Sequence, residues 1–370
     1  MRFTVNTKEM NEAISIVTKA MPAHSSLPIL EGIYIYAFNN TVFMKCSDLS
    51  LQIETEIPAI VDEEGKCVLP GRLCADLVRR FTGDSIDFEL DKNTMKLRSG
   101  RVKSSLQVNN AGDYPEMMRV KDEFSAEISQ NTFKSMIRQT IFSVSMDDTK
   151  PILNGVCMKF NEDNSLVMVA LDGFRLAMRT EKVSHCTGVR SVVIPTRAMQ
   201  EISNILSNED DAIKLVFSST HIKLDFGSTR IISRLLDGEY VNYSGILPKA
   251  FATRVLINCK ELQSSVERAS LMAKEGKSNL VKLSFESELL SISANSEKGD
   301  IDDEIEILLT GKDIEIAFNA KYILDVMRVI DDESIYLNMN NSVTPCVIVP
   351  TDGEAFYYMI LPVRLFNVNN

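Results

Sequence analysis

Few residues of this chain have the types and spacing that catalysis requires. Asp172 and Arg175 flank a Gly-Phe pair and could bind a charged group, yet no nucleophile or general base accompanies them. Gly311-Lys312 lacks the upstream glycine and the following Ser or Thr of a phosphate-binding loop. No G-x-S-x-G, H-E-x-x-H or G-x-G-x-x-G pattern occurs in the sequence. These observations argue against an enzyme.

Metal-binding chemistry has equally little support. Residues 300–306 carry five carboxylates but lack the central glycine and the terminal glutamate of a calcium loop, so a solvated hairpin is the better interpretation. The three histidines stand in unrelated contexts, and the seven cysteines form no C-x-x-C pair. An odd number of scattered cysteines predicts reduced thiols in protein cores. We therefore expect no metal site and no cofactor.

Length and composition place the chain among soluble proteins. Its 370 residues allow two or three domains of the usual ~100 to 200 residues. With 45% hydrophobic and 25% charged residues, its composition is that of a globular protein. Apolar stretches such as residues 166–171 are strand-sized, well short of the roughly 20 residues that cross a bilayer, and residues 1–4 lack a signal-peptide core. We predict a cytoplasmic protein without a membrane partner.

One pattern recurs three times, about 125 residues apart. Near the start of each copy a strand-like run enters an amphipathic helix, which is predicted at residues 8–21, 131–145 and 260–273. A second helix follows in step at residues 71–81, 196–206 and 319–330. Gly100, Gly227 and Gly353 mark a turn before the last strand of each copy. Self-similarity at a fixed period indicates three domains of one fold.

Each copy alternates between helix-like and strand-like periodicity. Short runs such as residues 32–37 and 42–46, joined by tight turns, predict antiparallel sheets. Two helices per copy are too few to cover both sheet faces, so we expect the helices together on one side. We predict an α+β fold with three tandem similar domains, each made of two β-α-β-β-β units, at residues 1–123, 124–249 and 250–370.

Charge is sorted between the predicted helices and the rest of the chain. A formal net charge of −11 would argue against a nucleic-acid partner, because phosphates favour Lys and Arg. The six helical segments nevertheless sum to +6, which leaves −17 on the remainder. For any single helix a solvated polar face is the simpler interpretation, and only the summed pattern favours a DNA-facing helical side. The best-defined basic patches are Lys134 with Arg138, and Arg72 with Arg79 and Arg80.

Several motifs carry a resemblance to a known family. They are D-G-F-R-L-A at 172–177, L-P-V-R-L at 361–365, M-R-F-T-V at 1–5, L-P-I-L at 27–30 and F-N-A-K-Y-I-L-D-V at 318–326. Together and in register over the whole chain, they closely resemble the bacterial DNA polymerase III beta subunit family, the sliding clamps. The resemblance implies the DNA clamp fold and a head-to-tail homodimeric ring, with helices lining the hole and sheets outside. It also implies double-stranded DNA as an encircled, sequence-independent partner.

The resemblance assigns residues to DNA and to ring closure. Positions matching DNA-facing residues of the family are His24, Arg72, Lys150 and Arg197, to which charge alone adds Arg79, Arg80, Lys134 and Arg138. Leu271 and Met272 match the apolar pair of the dimer interface, facing the edge strand around Ser105 and Leu106. From spacing alone, Leu271 and Met272 could equally be ordinary core residues.

The resemblance further implies a pocket between the second and third domains. In the family it takes short linear motifs of the DNA polymerase III alpha subunit, the clamp loader, other polymerases and repair proteins. The matching positions are Leu153, Leu171, Gly173, Phe174, Arg175, Leu176, Val241, Ile246, Asn319, Tyr322, Val343, Pro345, Met359, Ile360, Leu361, Pro362, Val363 and Arg364. Taken singly, each apolar residue of the last strand is more simply explained by packing in its own core.

These observations favour a DNA polymerase processivity factor. The alternative is a three-domain protein-interaction scaffold that does not encircle DNA and whose helical face packs on protein. Residues 366–370 form an apolar-bearing tail, and we expect Phe366 at the rim of the client pocket.

Overall fold

The computed structural model describes residues 1–116, 118–275 and 279–364. The first repeat contains β1 (Arg2–Asn6), α1 (Thr7–Val17), β2 (Gly32–Phe38), β3 (Thr41–Ser47), β4 (Leu51–Pro58), β5 (Ile60–Glu63), β6 (Gly65–Pro70), α2 (Gly71–Val78), β7 (Ser85–Asp91), β8 (Thr94–Ser99) and β9 (Val102–Gln107). The second contains β10 (Phe124–Ser129), α3 (Gln130–Arg138), β11 (Gly155–Phe160), β12 (Ser165–Leu171), β13 (Arg175–Lys182), β14 (His185–Cys186), β15 (Arg190–Pro195), α4 (Thr196–Ile205), β16 (Ala212–Phe217), β17 (His221–Phe226) and β18 (Thr229–Arg234). The third contains β19 (Thr253–Asn258), α5 (Cys259–Glu275), β20 (Leu280–Glu286), β21 (Leu289–Ser296), β22 (Gly299–Glu306), β23 (Leu308–Gly311), β24 (Ile314–Asn319), α6 (Ala320–Met327), β25 (Ser334–Met339), β26 (Cys346–Pro350) and β27 (Phe356–Ile360).

This order confirms the predicted α+β fold. Each repeat runs through two β-α-β-β-β units, and a further short strand, β5, β14 or β23, lies between them. The strand pairs within the sheets are antiparallel, as expected for short strands joined by tight turns. The same sequence pattern has therefore produced the same element order three times.

The three periodic glycines occupy equivalent turns. Gly100, Gly227 and Gly353 have φ angles of 56°, 53° and 71°, and a Cβ added to any of them would meet nothing within 4 Å. Glycine is therefore favoured at these positions by the left-handed backbone conformation and not by crowding from neighbouring atoms. Glycine adopts this conformation without steric cost.

Four predicted helices end three or more residues earlier than expected: α2 stops at Val78, α6 at Met327, and the two first helices of repeats one and two stop earlier still. The helix predicted at 8–21 stops at Val17 and continues as the 3-10 turn Thr18–Ala20. The helix predicted at 131–145 stops at Arg138. Here the Thr140 hydroxyl donates to the carbonyl of Met136 at 2.8 Å. Such back-bonding by Thr competes with continued helix geometry, and the chain turns into the 3-10 segment Ile141–Ser143.

Residues 1–131, 184–187 and 200–235 form one compact unit. Its sheets have the orders β5-β1-β7-β8-β9 and β14-β10-β16-β17-β18-β4-β3-β2-β6. The second sheet passes from the second repeat into the first through the β18–β4 pair, where Ile231 stands opposite Ile53. Helix α1 packs on β4 and against α2 and buries Met10, Ile14 and Val17.

The other compact unit comprises residues 132–183, 188–199 and 236 onward. Its sheets have the orders β15-β11-β12-β13-β27-β26-β25-β19-β23 and β22-β21-β20-β24. The longer sheet passes from the second repeat into the third through β13–β27. Helices α5 and α6 pack together, and α5 also lies on β20, β21 and β22. One apolar cluster fills the space between these helices and strands.

Candidate partner-binding pocket and charged surfaces

A buried apolar floor lies where β13 pairs with β27. Leu176 stands opposite Met359 in this pair, and both belong to one cluster with Leu171 and Leu153. Leu153 enters from the 3-10 turn Pro151–Leu153. The four side chains are between 1% and 6% exposed, so they form the floor of the site rather than its rim.

Around this floor several large apolar side chains remain in solvent. Phe174 is 61% exposed, Val241 44% and Ile246 51%. Tyr240 and Tyr243 pack on the floor cluster and thereby bring the neighbouring Val241 and Ile246 to its margin. A group of exposed apolar residues next to a buried apolar floor is typical of a protein-binding surface.

The turn before β26 contributes to the same margin. Val343 is 59% exposed, in a turn closed by the Asn341 side chain, which accepts hydrogen bonds from the amides of Val343 and Thr344 at 3.0 Å. Pro345 follows and leads into Cys346, which pairs with Ile360 of β27. The turn is therefore fixed to the last strand.

Arg175 ties the pocket together from below. It is 7% exposed and donates to Asp172 at 3.0 Å, to Asp325 at 2.6 Å and to the carbonyl of Phe142 at 2.6 Å. Its guanidinium lies 4.5 Å from the ring centre of Tyr322. The Asp172–Arg175 pair seen in the sequence is thus a structural clasp that joins β13 to α6.

Two rings stand above this clasp. Phe174 and Tyr322 are stacked with centroids 6.5 Å apart and planes at 24°. Gly173, with φ +91°, forms the turn before Phe174, and the Asp172 carboxylate accepts the amides of Phe174 and Arg175 at 2.9 and 3.0 Å. Burial, and next the Asp172 carboxylate, raise the pKa of Tyr322, so its hydroxyl stays protonated at neutral pH.

Helix α6 and the chain end complete the site. The Asn319 side chain caps α6 by accepting from the amide of Lys321 at 3.0 Å. The amide of Leu361 donates to the carbonyl of Phe174 and that of Val363 to Ala317, both at 2.8 Å. These bonds hold the chain beside the floor through Pro362 to the exposed Arg364, while Ile360 is buried at 1% exposure. The tail 365–370, with Phe366, lies outside the described residues.

The predicted DNA-facing residues lie mostly on helices or the turns next to them. Arg72, Arg79, Arg80, Arg138 and Arg197 are exposed, as are His24 and Lys150 in loops, whereas Lys134 is half-buried. Some of their charge is engaged locally. Arg72 donates to the carbonyl of Ala23 at 2.8 Å, next to His24, Arg79 lies 4.0 Å from Asp76, and Arg138 forms an ion pair with Asp331.

In the described part of the chain, two predicted interface residues lie on a strand that ends its sheet, and the other two lie on a helix packed beside another end strand. Strand β9, with Ser105 and Leu106, ends one sheet, and β22 ends another. Ser105 is exposed, but the Leu106 side chain is only 3% exposed, so at this edge only its backbone is accessible. On α5, Leu271 is 61% exposed, while Met272 packs partly on the core.

Sequence reasoning missed part of the pocket's support. Asp325 and Phe142, the partners of Arg175, were not singled out, and neither was Tyr243. Asp325 follows Tyr322 by three residues, so both lie on one face of α6. That spacing and the place of Asp325 in the 318–326 motif were the available signals.

Among the described residues, no group of three or more His, Cys, Asp or Glu is arranged to hold a metal ion. The acidic run of 300–306 falls in β22, where Asp303 accepts from Ser265 at 2.9 Å and from Arg268 at 2.7 Å. Within the same described part of the chain, no helix combines the length and apolarity needed to cross a membrane.

Comparison with known proteins covers all three repeats. The N-terminal, central and C-terminal domains of the DNA polymerase III beta subunit match residues 1–118, 127–242 and 244–364. Curated relatives include the beta sliding clamps of Bacillus subtilis, 32% identical over 380 residues, and of Staphylococcus epidermidis, 31% identical over 377 residues. Both comparisons cover 99% of this chain and 100% of the relative.

Solved structures agree with these matches. The DNA polymerase sliding clamp of Bacillus subtilis is 31% identical and superposes with a TM-score of 0.95 over 99% of this chain and 100% of its own. A DNA polymerase III beta subunit from Thermotoga maritima, 28% identical, gives 0.92 over the same shares. Sequence and fold therefore agree over the whole length, and the chain belongs to the DNA polymerase III beta subunit family.

Proposed function

We propose that this chain is a DNA polymerase processivity factor that acts as a sliding clamp. A head-to-tail homodimer encircles duplex DNA, slides along it without sequence preference and tethers replication and repair proteins through the pocket at the β13–β27 pair. The full-length family match carries this proposal. Encirclement and tethering make or break no covalent bond, so we infer that the protein is not an enzyme. A replication factor of this kind would act in the cytoplasm.

The helices suit a weak, sliding contact with DNA. Exposed cations such as Arg72, Arg80 and Arg197 attract phosphates through counterion release without reading bases. Several basic side chains are shared with protein acceptors, as in the Arg138–Asp331 pair, which keeps the field modest. A ring holds DNA by topology, so a modest field is sufficient and allows movement along the duplex.

The homodimer is supported by charges on the two free edges. On the solvent face of one edge, Arg98 of β8 stands directly opposite Lys103 of β9. Asp87 of β7 stands opposite Arg98 on its other side, so Lys103 is the cation of this row that lacks an opposite carboxylate within its sheet and would attract an approaching anion. On the other edge, β22 exposes Asp302 and Glu304 on one face.

These edges complement each other in charge and in hydrogen bonding. An open edge strand has unpaired backbone groups that favour pairing with another strand. Pairing β9 of one protomer with β22 of its partner would satisfy both edges and neutralise both charge rows. The two surfaces differ, so the contact is head-to-tail and closes a ring when two copies meet twice. Leu271 and Met272, beside Ser105 and the Leu106 backbone, would supply the apolar part.

The pocket suits a short linear peptide. Each buried Leu or Phe anchor contributes about 1.5 to 3 kcal/mol, so two anchors with backbone bonds give roughly micromolar affinity. The exposed rim provides such contacts, because Phe174, Val241 and Val363 are not covered in the monomer. Micromolar binding allows several clients to exchange at one site.

Loading onto closed DNA tests the function. The protein should have twice the chain mass of 41.5 kDa in native mass spectrometry. After loading by a clamp loader, it should remain on nicked circular DNA at salt concentrations that screen charge contacts, and leave when the circle is cut. A scaffold that does not encircle DNA would dissociate equally from both forms, and that result would reject the proposal.

Two finer inferences belong to this proposal. We place the domain limits at 1–123, 124–249 and 250–370, which limited proteolysis of the dimer would check. The named pocket, DNA-facing and interface residues remain predictions until peptide binding, DNA retention and mass are measured on variants.

A further inference from the structure

The outer sheet face of the first repeat carries an unusual row of aromatic side chains. Tyr36 of β2 stands opposite Phe43 of β3, and Lys66 of β6 flanks Tyr36 on the other side. Tyr34 and Phe38 lie two residues to either side of Tyr36 on the same face. The four rings are partly exposed.

The other two repeats provide an internal comparison. Strand register makes Lys159 and Val167 the second-repeat counterparts of Tyr36 and Phe43, with Ser191 in the place of Lys66. In the third repeat the corresponding residues are Ser284, Ser291 and Glu315. These third-repeat residues are polar, whereas Val167 packs on the apolar cluster of the client pocket in the second repeat. The third repeat therefore shows that the fold itself does not require aromatic rings here.

The rings form the floor of a groove with a fixed wall. The groove has a volume of about 550 Å³, and Tyr114, Pro115 and Arg119 line its wall. The Tyr114 hydroxyl accepts the amide of Ser47 at 3.0 Å, and its ring packs on Leu30 and Val68. This volume lies within the range of small-ligand and peptide sites.

Lys45 fastens the wall and is not free for a ligand. It is 3% exposed, its Nζ donates to the carbonyl of Pro115 at 3.1 Å, and it lies 5.0 and 4.8 Å from the ring centres of Tyr34 and Tyr114. Burial lowers the pKa of Lys45. The groove is therefore preformed, and binding would need little ordering of its wall.

The rings present flat faces and hydrogen-bond donors. Tyr36 and Phe38 are stacked with centroids 4.4 Å apart, and Tyr34 meets Phe43 edge-on. Within the described residues, neither the Tyr34 nor the Tyr36 hydroxyl has a hydrogen-bond partner. Burial, and next the Tyr36 hydroxyl, raise the pKa of Tyr34, which keeps it a donor. Ridges of rings with free donors match the polyproline II backbone, whose carbonyls lack internal partners.

Charge decides the kind of ligand. The row across the strands begins at the exposed Lys66 of β6 and ends at the exposed Glu56 of β4, and Arg119 and Glu116 add one further charge of each sign to the lining. A polyanion such as single-stranded DNA would meet repulsion along this row, despite the stacking surface. A peptide with acidic residues at one end only would not.

We propose that this groove is a second peptide-binding site, which takes an extended proline-containing segment with acidic residues next to Lys66. It is separate from the client pocket and does not depend on DNA encirclement. Its occupant would be a partner protein with an acidic, proline-rich tail.

Fluorescence anisotropy on the intact homodimer tests the proposal with four labelled probes. They are a short peptide of two glutamates followed by Pro-Pro-Leu repeats, the same peptide with Gly for Pro, the same with Lys for Glu, and oligothymidine. We expect the glutamate-proline peptide to bind at least about tenfold more tightly than the other three probes. A difference of this size corresponds to the loss of one aromatic or charge contact.

The double variant Tyr36→Ser with Phe43→Ser copies the residues of the third repeat and should weaken the acidic proline peptide about tenfold or more. Ser291→Ala, at the register position of Phe43 in the third repeat, should leave the affinity unchanged. Circular dichroism and an unchanged affinity for a client peptide would show that the variants are folded. Lys66→Glu should invert the preference towards the lysine peptide.

Preference for oligothymidine would replace the proposal with single-strand binding. Equal affinity of the Pro and Gly peptides, or an unchanged affinity in the Tyr36→Ser, Phe43→Ser variant, would overturn it. So would the absence of measurable binding by any of the four probes at millimolar concentration.

Discussion

Replacing Arg175 by alanine should loosen the client pocket more than any other single change in it. The variant removes donors to Asp172 and Asp325, one donor to the carbonyl of Phe142, and the cation beneath the Tyr322 ring. Asp172 would then stay in place without a counter-charge, and Asp325 would keep only the Arg328 guanidinium, 3.8 Å away. Their side chains are only 16% and 15% exposed, so water can solvate them only in part.

The magnitude follows from this geometry. Removing one partner of a buried ion pair costs about 3 to 5 kcal/mol, chiefly because the other charge is left desolvated. Partial exposure of both carboxylates reduces this to about 2 to 4 kcal/mol. Opening of the β13–α6 contact should therefore become roughly 30- to 700-fold more frequent.

Hydrogen exchange measures that opening directly. The amides of Phe174 and Arg175 bond to Asp172, and the amide of Leu361 bonds to Phe174. Their protection should fall in Arg175→Ala, together with client-peptide affinity. Arg175→Lys should recover little, because lysine cannot form the bidentate fork. Arg179→Ala is a matched control on the same strand, since Arg179 is paired with the single carboxylate of Glu181.

A loss of protection below tenfold in Arg175→Ala would refute the clasp.

Three further changes test other parts of the molecule. Leu271→Ala with Met272→Ala should give monomers in native mass spectrometry, because it removes the apolar part of the interface, and an intact dimer would reject that assignment. Lys103→Glu should weaken the dimer, and the added exchange Asp302→Lys should restore it; lack of rescue in sedimentation analysis would argue against β9–β22 pairing. Cys186 should react first with a thiol reagent, because the other six cysteines are buried. Burial raises their pKa values, to about 12 for Cys346. Equal reaction rates for all seven cysteines in the folded protein would contradict this.

The repeat and its element order could be predicted from sequence because both depend on local patterns. Helix periodicity and turn glycines such as Gly227 act over a few residues, and the same local signals recur at each copy. Charge sorting was also visible, since it needs only composition by segment. The residues at which helices end were harder to predict. The early stop of α3 depends on a hydroxyl bond from Thr140 to Met136, which periodicity does not encode.

Contacts over long sequence separation were beyond reach without a family resemblance. Arg175 meets Asp325 from 150 residues away, and β13 meets β27 at a similar separation. The burial of side chains on the edge strand could not be predicted from the sequence either. The alternation of side chains along β9 is compatible with Leu106 on either face of the sheet. Only the pairing of β9 with β8 determines that its side chain points into the core.

The β3–β4 pair of the first repeat and the β12–β13 pair of the second occupy equivalent places, and comparing their end residues explains why only the second forms an apolar pocket. By register, Ser47 and Gln52 at the β3–β4 end correspond to Leu171 and Leu176 at the β12–β13 end. At the β3–β4 end Gln52 donates to Glu54 at 2.5 Å and the Ser47 amide donates to the Tyr114 hydroxyl at 3.0 Å, so buried polar groups are satisfied internally.

An apolar peptide anchor placed at the β3–β4 end would have to break those bonds and leave polar atoms unpaired, at a cost of about 1 to 3 kcal/mol each. At the β12–β13 end the same backbone presents Leu171 and Leu176, which lose nothing when an anchor covers them. The same fold therefore forms an apolar binding surface where these residues are leucines. It forms a surface whose polar groups are already hydrogen-bonded where they are Ser and Gln.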